Sequence, residues 1–444
     1  MMEETPKPRS KLYALEPLLR RMPEIAVPKR HVPFKEKFIW TVIALALFFV
    51  MAQIPLYGIP TGQQVSELLG QLRFIFASQA GTLMELGIGP IVTAGIIMQL
   101  LVGSKIINLD LTDPEDRAVF TSTQKLLSIL VAVFEGSMLV LSGRYGVPFD
   151  SAPGLFILFQ LALGAIIVIF LDEVVSKYGF GSGVSLFIAG SVAMTVFWLA
   201  LNPGSGVIPV FLRDLGRGED FITAFFAGGP NTMVGLVATV IIFFVVVYTQ
   251  TLRIEIPVSY SHYGGIRARY PIRFLYTSNI PVILAMTVFA NFRIVSALFN
   301  VPWLTYYTQP PNGLASVVAD PLRTVIYVAI LAALSVGFGW MWIYMTNMSP
   351  RDIARQLDDA GMMIPGYRRD VRVMEQVLGR YIIPTTILGS AFVGLISAGA
   401  DIMGALGSGT GILLTVGIVY SLYEQIAREQ VSEMFPAVRR LIGE

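Results

Sequence analysis

Ten apolar stretches, most of them long enough to cross a bilayer, recur along this chain: 38–57, 81–103, 124–143, 154–171, 183–200, 232–251, 274–294, 323–345, 381–400 and 405–423. About 20 apolar residues in helical form span the ~30 Å hydrocarbon core. The spacing therefore predicts an all-α polytopic membrane protein with ten transmembrane helices. Composition agrees, since 54% of the residues are hydrophobic and 14% charged, against roughly 45–50% and about 25% in soluble domains. There is no cysteine, and His31 and His262 are the only histidines. Disulfides, thiolate sites and a histidine-rich metal centre are thereby excluded, and no metal or cofactor is expected. The first 35 residues have no apolar core, so no cleavable signal peptide is expected.

The second stretch is unlike the others. Gly87, Gly89, Pro90 and Gly95 interrupt residues 81–103, and such a break is tolerated at membrane depth only where protein or water satisfies the freed backbone groups. A helix is expected from near Gly89, with a separate element before it and a cavity alongside. After Pro60 the chain is too polar to span and too apolar for a plain loop. Leu68, Leu69, Leu72, Ile75 and Phe76 share one face of a short helix over Ser66–Phe76 that needs apolar company. Near the amino terminus, Leu12, Leu15, Leu18 and Leu19 with Arg20 and Arg21 read either as an amphipathic surface helix or as a solvated basic tail.

Charge orients the spans. Lys and Arg number 26 on the side of the two termini and six on the other, so both termini are expected in the cytoplasm of a multi-pass cell-membrane protein. The division read from the sequence is a cytoplasmic segment over 1–37, a first five-helix half over 38–201 and an external hinge loop over 202–231. A second half follows over 232–424, with cytoplasmic loops at 252–273 and 346–380, and then a cytoplasmic tail over 425–444. Gly181-Ser182-Gly183 opens the fifth span from the cytoplasm, and Gly407-Ser408-Gly409 opens the tenth from outside. Related segments in opposite orientations mark inverted repeats, which place a translocation path between the two halves.

Four motifs sharpen this reading. LGIGPIVTAGIIMQLLVG (86–103), LDEVVSKYGFGSG (171–183), YPIRFLYTSNIPVIL (270–284) and GALGSGTGILLTVGIVY (404–420) resemble, in order and spacing, segments of the SecY family of protein-conducting channels, in its archaeal and eukaryotic branch. The resemblance implies a central pore between the two halves, closed by a ring of aliphatic side chains: Ile88, Val92, Val184, Ile188, Ile283 and Leu414. Such a ring blocks ions by dewetting and yields to a passing chain, although an apolar residue in a span is equally a packing residue. It further implies that Ser66–Phe76, with Leu68, Leu69, Leu72 and Ile75, is a plug, the bland alternative being a re-entrant packing helix. Thr93, Gln124 and Asn279 would line a lateral gate that releases hydrophobic segments into lipid, or else be ordinary interhelical links. Arg253, Arg267, Arg269, Arg368 and Arg369 would dock a ribosome or motor, although positive-inside bias alone yields basic loops. The implied partners are a SecE-like subunit and a small beta-type single-span subunit forming a heterotrimer, the ribosome, signal sequences and nascent polypeptides, and membrane lipids. Glu135 has no partner that the sequence can name.

The expected function is thus the pore-forming subunit of a protein-conducting channel, with no enzymatic activity. The chain has no P-loop GxxxxGK[ST], no HExxH and no second intramembrane aspartate to pair with Asp401, which argues against an NTPase by that route and against an intramembrane protease. The alternative is an inverted-repeat secondary transporter of a small solute. Against it, the midplane positions are aliphatic rather than ion-binding.

Overall fold

The computed structural model describes residues 12–13, 16–19, 21–30, 32–59, 76–104, 106–109, 113–226, 232–260, 267–277, 279–299, 301–311, 313–365 and 370–434, with a few side chains inside these ranges left aside. They form two compact units, the first ending at Phe187 and the second beginning at Ile188. Seven helices among the described residues are long and apolar enough to cross a membrane. Three further helices, Phe34–Met51, Gly89–Gly103 and Ile280–Phe299, account for the remaining expected segments.

The first unit contains α1 (Glu16–Leu19), α2 (Phe34–Met51), α3 (Gly89–Gly103), α4 (Pro114–Leu141), α5 (Ala152–Tyr178) and the start of α6 (Gly183–Leu201). Local chemistry sets the helix starts. The Asp113 carboxylate accepts the Glu115 N–H with Pro114 in the first helical position, and the Ser151 hydroxyl accepts the Gly154 N–H. By contrast α3 has no side-chain cap. Its 15 residues rise about 22 Å, short of the ~30 Å core, so irregular backbone before Gly89 completes that segment as the glycines and proline predicted. There the Ile88 N–H donates to the Phe76 carbonyl at 2.8 Å. Gly87 has φ +54°, and a Cβ on it would fall 2.1 Å from the same carbonyl, which only glycine tolerates.

Small residues let backbones approach within this unit, as membrane helices require. A Cβ on Gly164 of α5 would sit 2.1 Å from the Leu83 carbonyl. Around that contact Leu56, Leu86, Leu139, Ile157 and Leu161 form an apolar core with Tyr145. One fully buried ion pair, Arg144 to Glu85 at 2.7 Å, ties the irregular segment to the connection between α4 and α5. The expected amino-terminal amphipathic helix is a single turn, α1, among the described residues. Beyond it the chain is strapped down through its backbone. Lys125 Nζ donates to the Pro23 carbonyl at 2.7 Å, the Ile25 N–H to Glu173 Oε1 at 3.0 Å, and the Tyr178 hydroxyl to the Ala26 carbonyl at 2.8 Å.

The second unit contains α7 (Val207–Gly216), α8 (Phe221–Phe226), α9 (Met233–Thr251), α10 (Ile280–Phe299), α11 (Pro302–Thr308), α12 (Gly313–Ala319), α13 (Pro321–Met345), α14 (Pro350–Asp359), α15 (Val371–Ile402) and α16 (Gly409–Met434). The stretch read as a loop over 202–231 thus carries two short helices, α7 and α8, joined by edge-on contacts of Phe211 with Phe221 and Phe225. The two basic loops, expected as separate connectors over 252–273 and 346–380, also differ from expectation, because they fold together. Strands β1 (Arg253–Tyr260), β2 (Arg267–Arg273) and β3 (Met362–Met363) make an antiparallel sheet in the order β2-β1-β3, with Ile256 opposite Tyr270 and Ser259 opposite Met363. Ile256, Val258 and Ile272 enter one buried cluster with Ile353 and Leu357 of α14 and with Met374 and Leu378 of α15. The period-two alternation of Ile256 and Val258 with polar or exposed neighbours is a strand signal that the arginines obscured.

Candidate functional site

The two Gly-Ser-Gly turns share several features but differ at the serine, which has a left-handed backbone at Ser408 (φ +68°) and not at Ser182. Each has its first glycine in the left-handed region, Gly181 at φ +70° and Gly407 at φ +81°, and in each the serine carbonyl accepts the first helical hydrogen bond, from Leu186 and Ile412. The last glycine packs against backbone, since a Cβ on Gly183 would lie 2.5 Å from Asp172 Cα and one on Gly409 2.2 Å from the Ser397 carbonyl. The helices they start, α6 and α16, carry Val184, Ile188 and Leu414.

Of the six aliphatic ring candidates, Ile88, Ile188 and Leu414 are buried while Val92, Val184 and Ile283 are half-buried. Ile88 and Val92 lie one turn apart, with the Val92 N–H donating to the Ile88 carbonyl at 3.1 Å. Ile88, Val92 and Val184 belong to the first unit, and Ile188, Ile283 and Leu414 to the second. Of the plug candidates, Phe76 is buried, and Ser66, Leu68, Leu69, Leu72 and Ile75 lie outside the described residues.

Thr93 finds a partner that the sequence did not name. Its hydroxyl donates to Glu135 Oε1 of α4 at 3.1 Å, and Gly89 lies close by, its Cβ position 3.4 Å from Glu135 Oε2. Gln124 is 11 residues, about 16 Å along the helix, from Glu135. It sits beside Gly95 and lines a cavity of about 200 Å³ with Lys125, Asp172, Glu173 and the strapped segment around Pro23. In the second unit the Asn279 amide donates to the Leu413 carbonyl at 3.2 Å, beside Leu414, and its buried Oδ1 has no hydrogen-bond partner among the described residues. Gly417 makes this approach possible, because a Cβ there would lie 2.4 Å from Asn279 Nδ2.

On the three-stranded sheet, Arg253 and Arg269 are exposed and share Glu255, at 3.2 and 2.7 Å. The hydrogen bond from Arg269, aided by the charge of Arg253, holds the Glu255 carboxyl below the ordinary range. Arg273 pairs with Glu424 of α16 at 2.9 Å. Arg267 opens β2, its side chain is outside the described residues, and so are Arg368 and Arg369. Among the described residues no group of three metal-ligating side chains could hold an ion.

The SecY family model matches residues 82–423, and a second model, the plug domain of Sec61p, matches residues 47–81. The chain belongs to the SecY family. It is 44% identical to the protein translocase subunit SecY of Pyrococcus furiosus, over 98% of this chain and 99% of that protein. It is 38% identical to the protein transport protein SEC61 subunit alpha of Wickerhamomyces anomalus, over 94% and 96%. Among solved structures it resembles one described as a protein conducting channel, with a TM-score of 0.82 and 43% identity over 96% of this chain and 99% of that one. Sec61 in a canine ribosome-channel complex from the endoplasmic reticulum gives a TM-score of 0.80 at 41% identity, over 96% and 99%. This SecY-family chain therefore has the all-α polytopic fold read from its sequence, with one small three-stranded sheet added, in a family of channels rather than catalysts.

Proposed function

We propose that the chain is the central, pore-forming subunit of a protein-conducting channel, passing secretory polypeptides across a membrane and releasing hydrophobic segments sideways into lipid. The observation that carries this reading is kinship over nearly the whole chain with translocase subunits, supported by likeness to a protein conducting channel. The small-solute transporter finds no such support. In this reading Ile88, Val92, Val184, Ile188, Ile283 and Leu414 form the aliphatic constriction, and Ser66–Phe76 is the plug. Thr93, Gln124 and Asn279 belong to the lateral gate, to which the contact with Thr93 adds Glu135. Arg253, Arg267, Arg269, Arg368 and Arg369 dock a ribosome, a partner supported by the ribosome-bound Sec61 relative. A SecE-like and a small beta-type single-span subunit complete a heterotrimer in the cell membrane, with both termini cytoplasmic as the 26-to-six charge asymmetry requires.

The test is reconstitution of the purified complex into vesicles with ribosomes carrying a secretory nascent chain. Protease-protected product inside the vesicles is expected. Absence of protection together with ion-driven uptake of a small solute would overturn the reading. Because the chain lacks cysteine, single cysteines settle orientation in the same preparation: one near Arg269 should label from the cytoplasmic side only, and one near Gly216 from the other side only.

A further inference from the structure

Beside each Gly-Ser-Gly turn stands a carboxylate that the sequence does not connect with it. In the first unit Asp172 Oδ1, from the end of α5, accepts the Val184 N–H at 2.9 Å, with the Ser182 hydroxyl at 3.4 Å. In the second unit Asp401 Oδ1, from the end of α15, accepts the Gly409 N–H at 2.9 Å, and its Oδ2 accepts the Tyr327 hydroxyl at 3.1 Å. The first N–H groups of a helix have no partner within the helix, and negative charge there is favoured by the helix dipole. In both units, then, a carboxylate from the preceding long helix fixes the start of the next one. The donor held by Asp172 is the backbone of Val184 itself, one turn before Ile188. The donor held by Asp401 lies five residues before Leu414.

We infer that Asp172 and Asp401 are a pair of positioning residues, one in each half, that set the axial register of α6 and α16 and so hold Val184, Ile188 and Leu414 at the constriction. The inference rests on the aliphatic ring proposed above. A slip of one residue along a helix rotates its side chains by about 100° and moves them ~1.5 Å. Such a slip removes an aliphatic group from a narrow barrier without unfolding the helix. An asparagine keeps the accepting oxygen and the shape, whereas alanine removes both.

The experiment is ion conductance of the purified full complex in planar bilayers, at matched amounts of monodisperse protein. Asp172→Ala and Asp401→Ala should each raise the frequency of spontaneous openings at least tenfold, while Asp172→Asn and Asp401→Asn should stay within twofold of the parent. Asp113→Ala is the control, because Asp113 also accepts a first-turn N–H, as the N-cap residue of α4 itself, but α4 carries no ring residue, so it should lose thermal stability without leaking. If Asp401→Ala fails to fold, Asp172→Ala decides the matter alone, since its turn is partly open to solvent. Leak from Asp113→Ala equal to that from Asp172→Ala would reduce both carboxylates to ordinary caps and overturn the inference. So would a tight Asp172→Ala channel beside a leaking Ile88, Val92, Ile188 and Ile283 quadruple glycine replacement, which would leave the ring standing. Tight channels from both would overturn the ring and this inference together.

Discussion

The turn over 179–183 and the turn over 404–409 share Gly-Ser-Gly and a left-handed first glycine, but not the backbone of the serine, left-handed only at Ser408, nor an environment. Ser182 is exposed at its turn, and its hydroxyl reaches towards Asp172 at 3.4 Å. Ser408 is buried, and its hydroxyl instead accepts the Gly411 N–H at 3.1 Å. Asp172 is half-buried, whereas Asp401 is 2% exposed and bonded through both oxygens, one of them to the fully buried Tyr327. Next to it Ser397 and Thr410 join hydroxyls in a further buried contact. The same three residues therefore sit in one half at a wet edge and in the other inside a dry polar network. In low dielectric an unpaired group is costly, so equal changes in the two turns should have unequal effects.

The largest expected effect tests this directly. Asp401→Ala strands the Gly409 N–H and the Tyr327 hydroxyl, each at about 1–3 kcal/mol, for a loss of about 4 kcal/mol. Asp172→Ala strands chiefly the Val184 N–H next to solvent and should cost about 2 kcal/mol or less. Thermal unfolding of the detergent-solubilised complex measures both, and equal losses would break the contrast. The second prediction carries the contrast to the polar gate candidates. Gly417→Ala drives a Cβ to within 2.4 Å of the buried Asn279 amide and should cost ~1–3 kcal/mol, as overpacking does. Gly95→Ala meets only the end of the Gln124 side chain at 3.1 Å, beside a cavity that can receive it, and should be neutral to within ~0.5 kcal/mol. A large loss at Gly95 would show that the first unit is as tightly packed there as the second.

Smaller again is the Thr93 to Glu135 hydrogen bond. Links of this kind between membrane helices average ~0.6 kcal/mol and reach ~2 kcal/mol. A double-mutant cycle with Thr93→Val and Glu135→Gln should return a coupling of that size, and the same cycle with Thr93→Val and Gln124→Leu should return about zero. Coupling to Gln124 instead would show that Thr93 engages the other polar residue of α4.

How far the sequence could be read follows from such pairs. Apolar length and the charge asymmetry depend on local composition, so the spans were legible, and the glycines with Pro90 marked the break before α3. The paired turns were legible as a repeated motif. Their carboxylates were not, because Asp172 precedes Ser182 by 10 residues and Asp401 precedes Gly409 by eight, and only the return of the chain brings them together. Glu135 was visible as a polar residue in a span, but its partner is 42 residues away. Gln124 and Glu135 lie on one helix and both meet α3, at Gly95 and at Thr93, and sequence does not tell which of its residues each one faces. The three-stranded sheet was missed for a different reason: the alternation in RIEIPVSY was present, and its charges drew the reading towards a loop.

The smallest effect belongs to a carboxylate at the surface with ample charge around it. Glu255 pairs with Arg253 and Arg269, and its folded-state pKa is held below the ordinary value, first by the Arg269 hydrogen bond. A carboxyl depressed on folding adds stability above its unfolded pKa, near ~4.3 for Glu, and loses it as pH falls through the lower folded value. Glu255→Gln should therefore leave the unfolding midpoint at pH 7 almost unchanged and slightly flatten its decline below about pH 4.3. At 0.5 M salt even that difference should fade, since exposed pairs are screened. If proximity to positive charge were what makes a carboxylate matter in this chain, Glu255 would rank with Asp401. A loss from Glu255→Gln as large as that from Asp172→Ala would mean that pairing rather than enclosure governs the difference between the two turns.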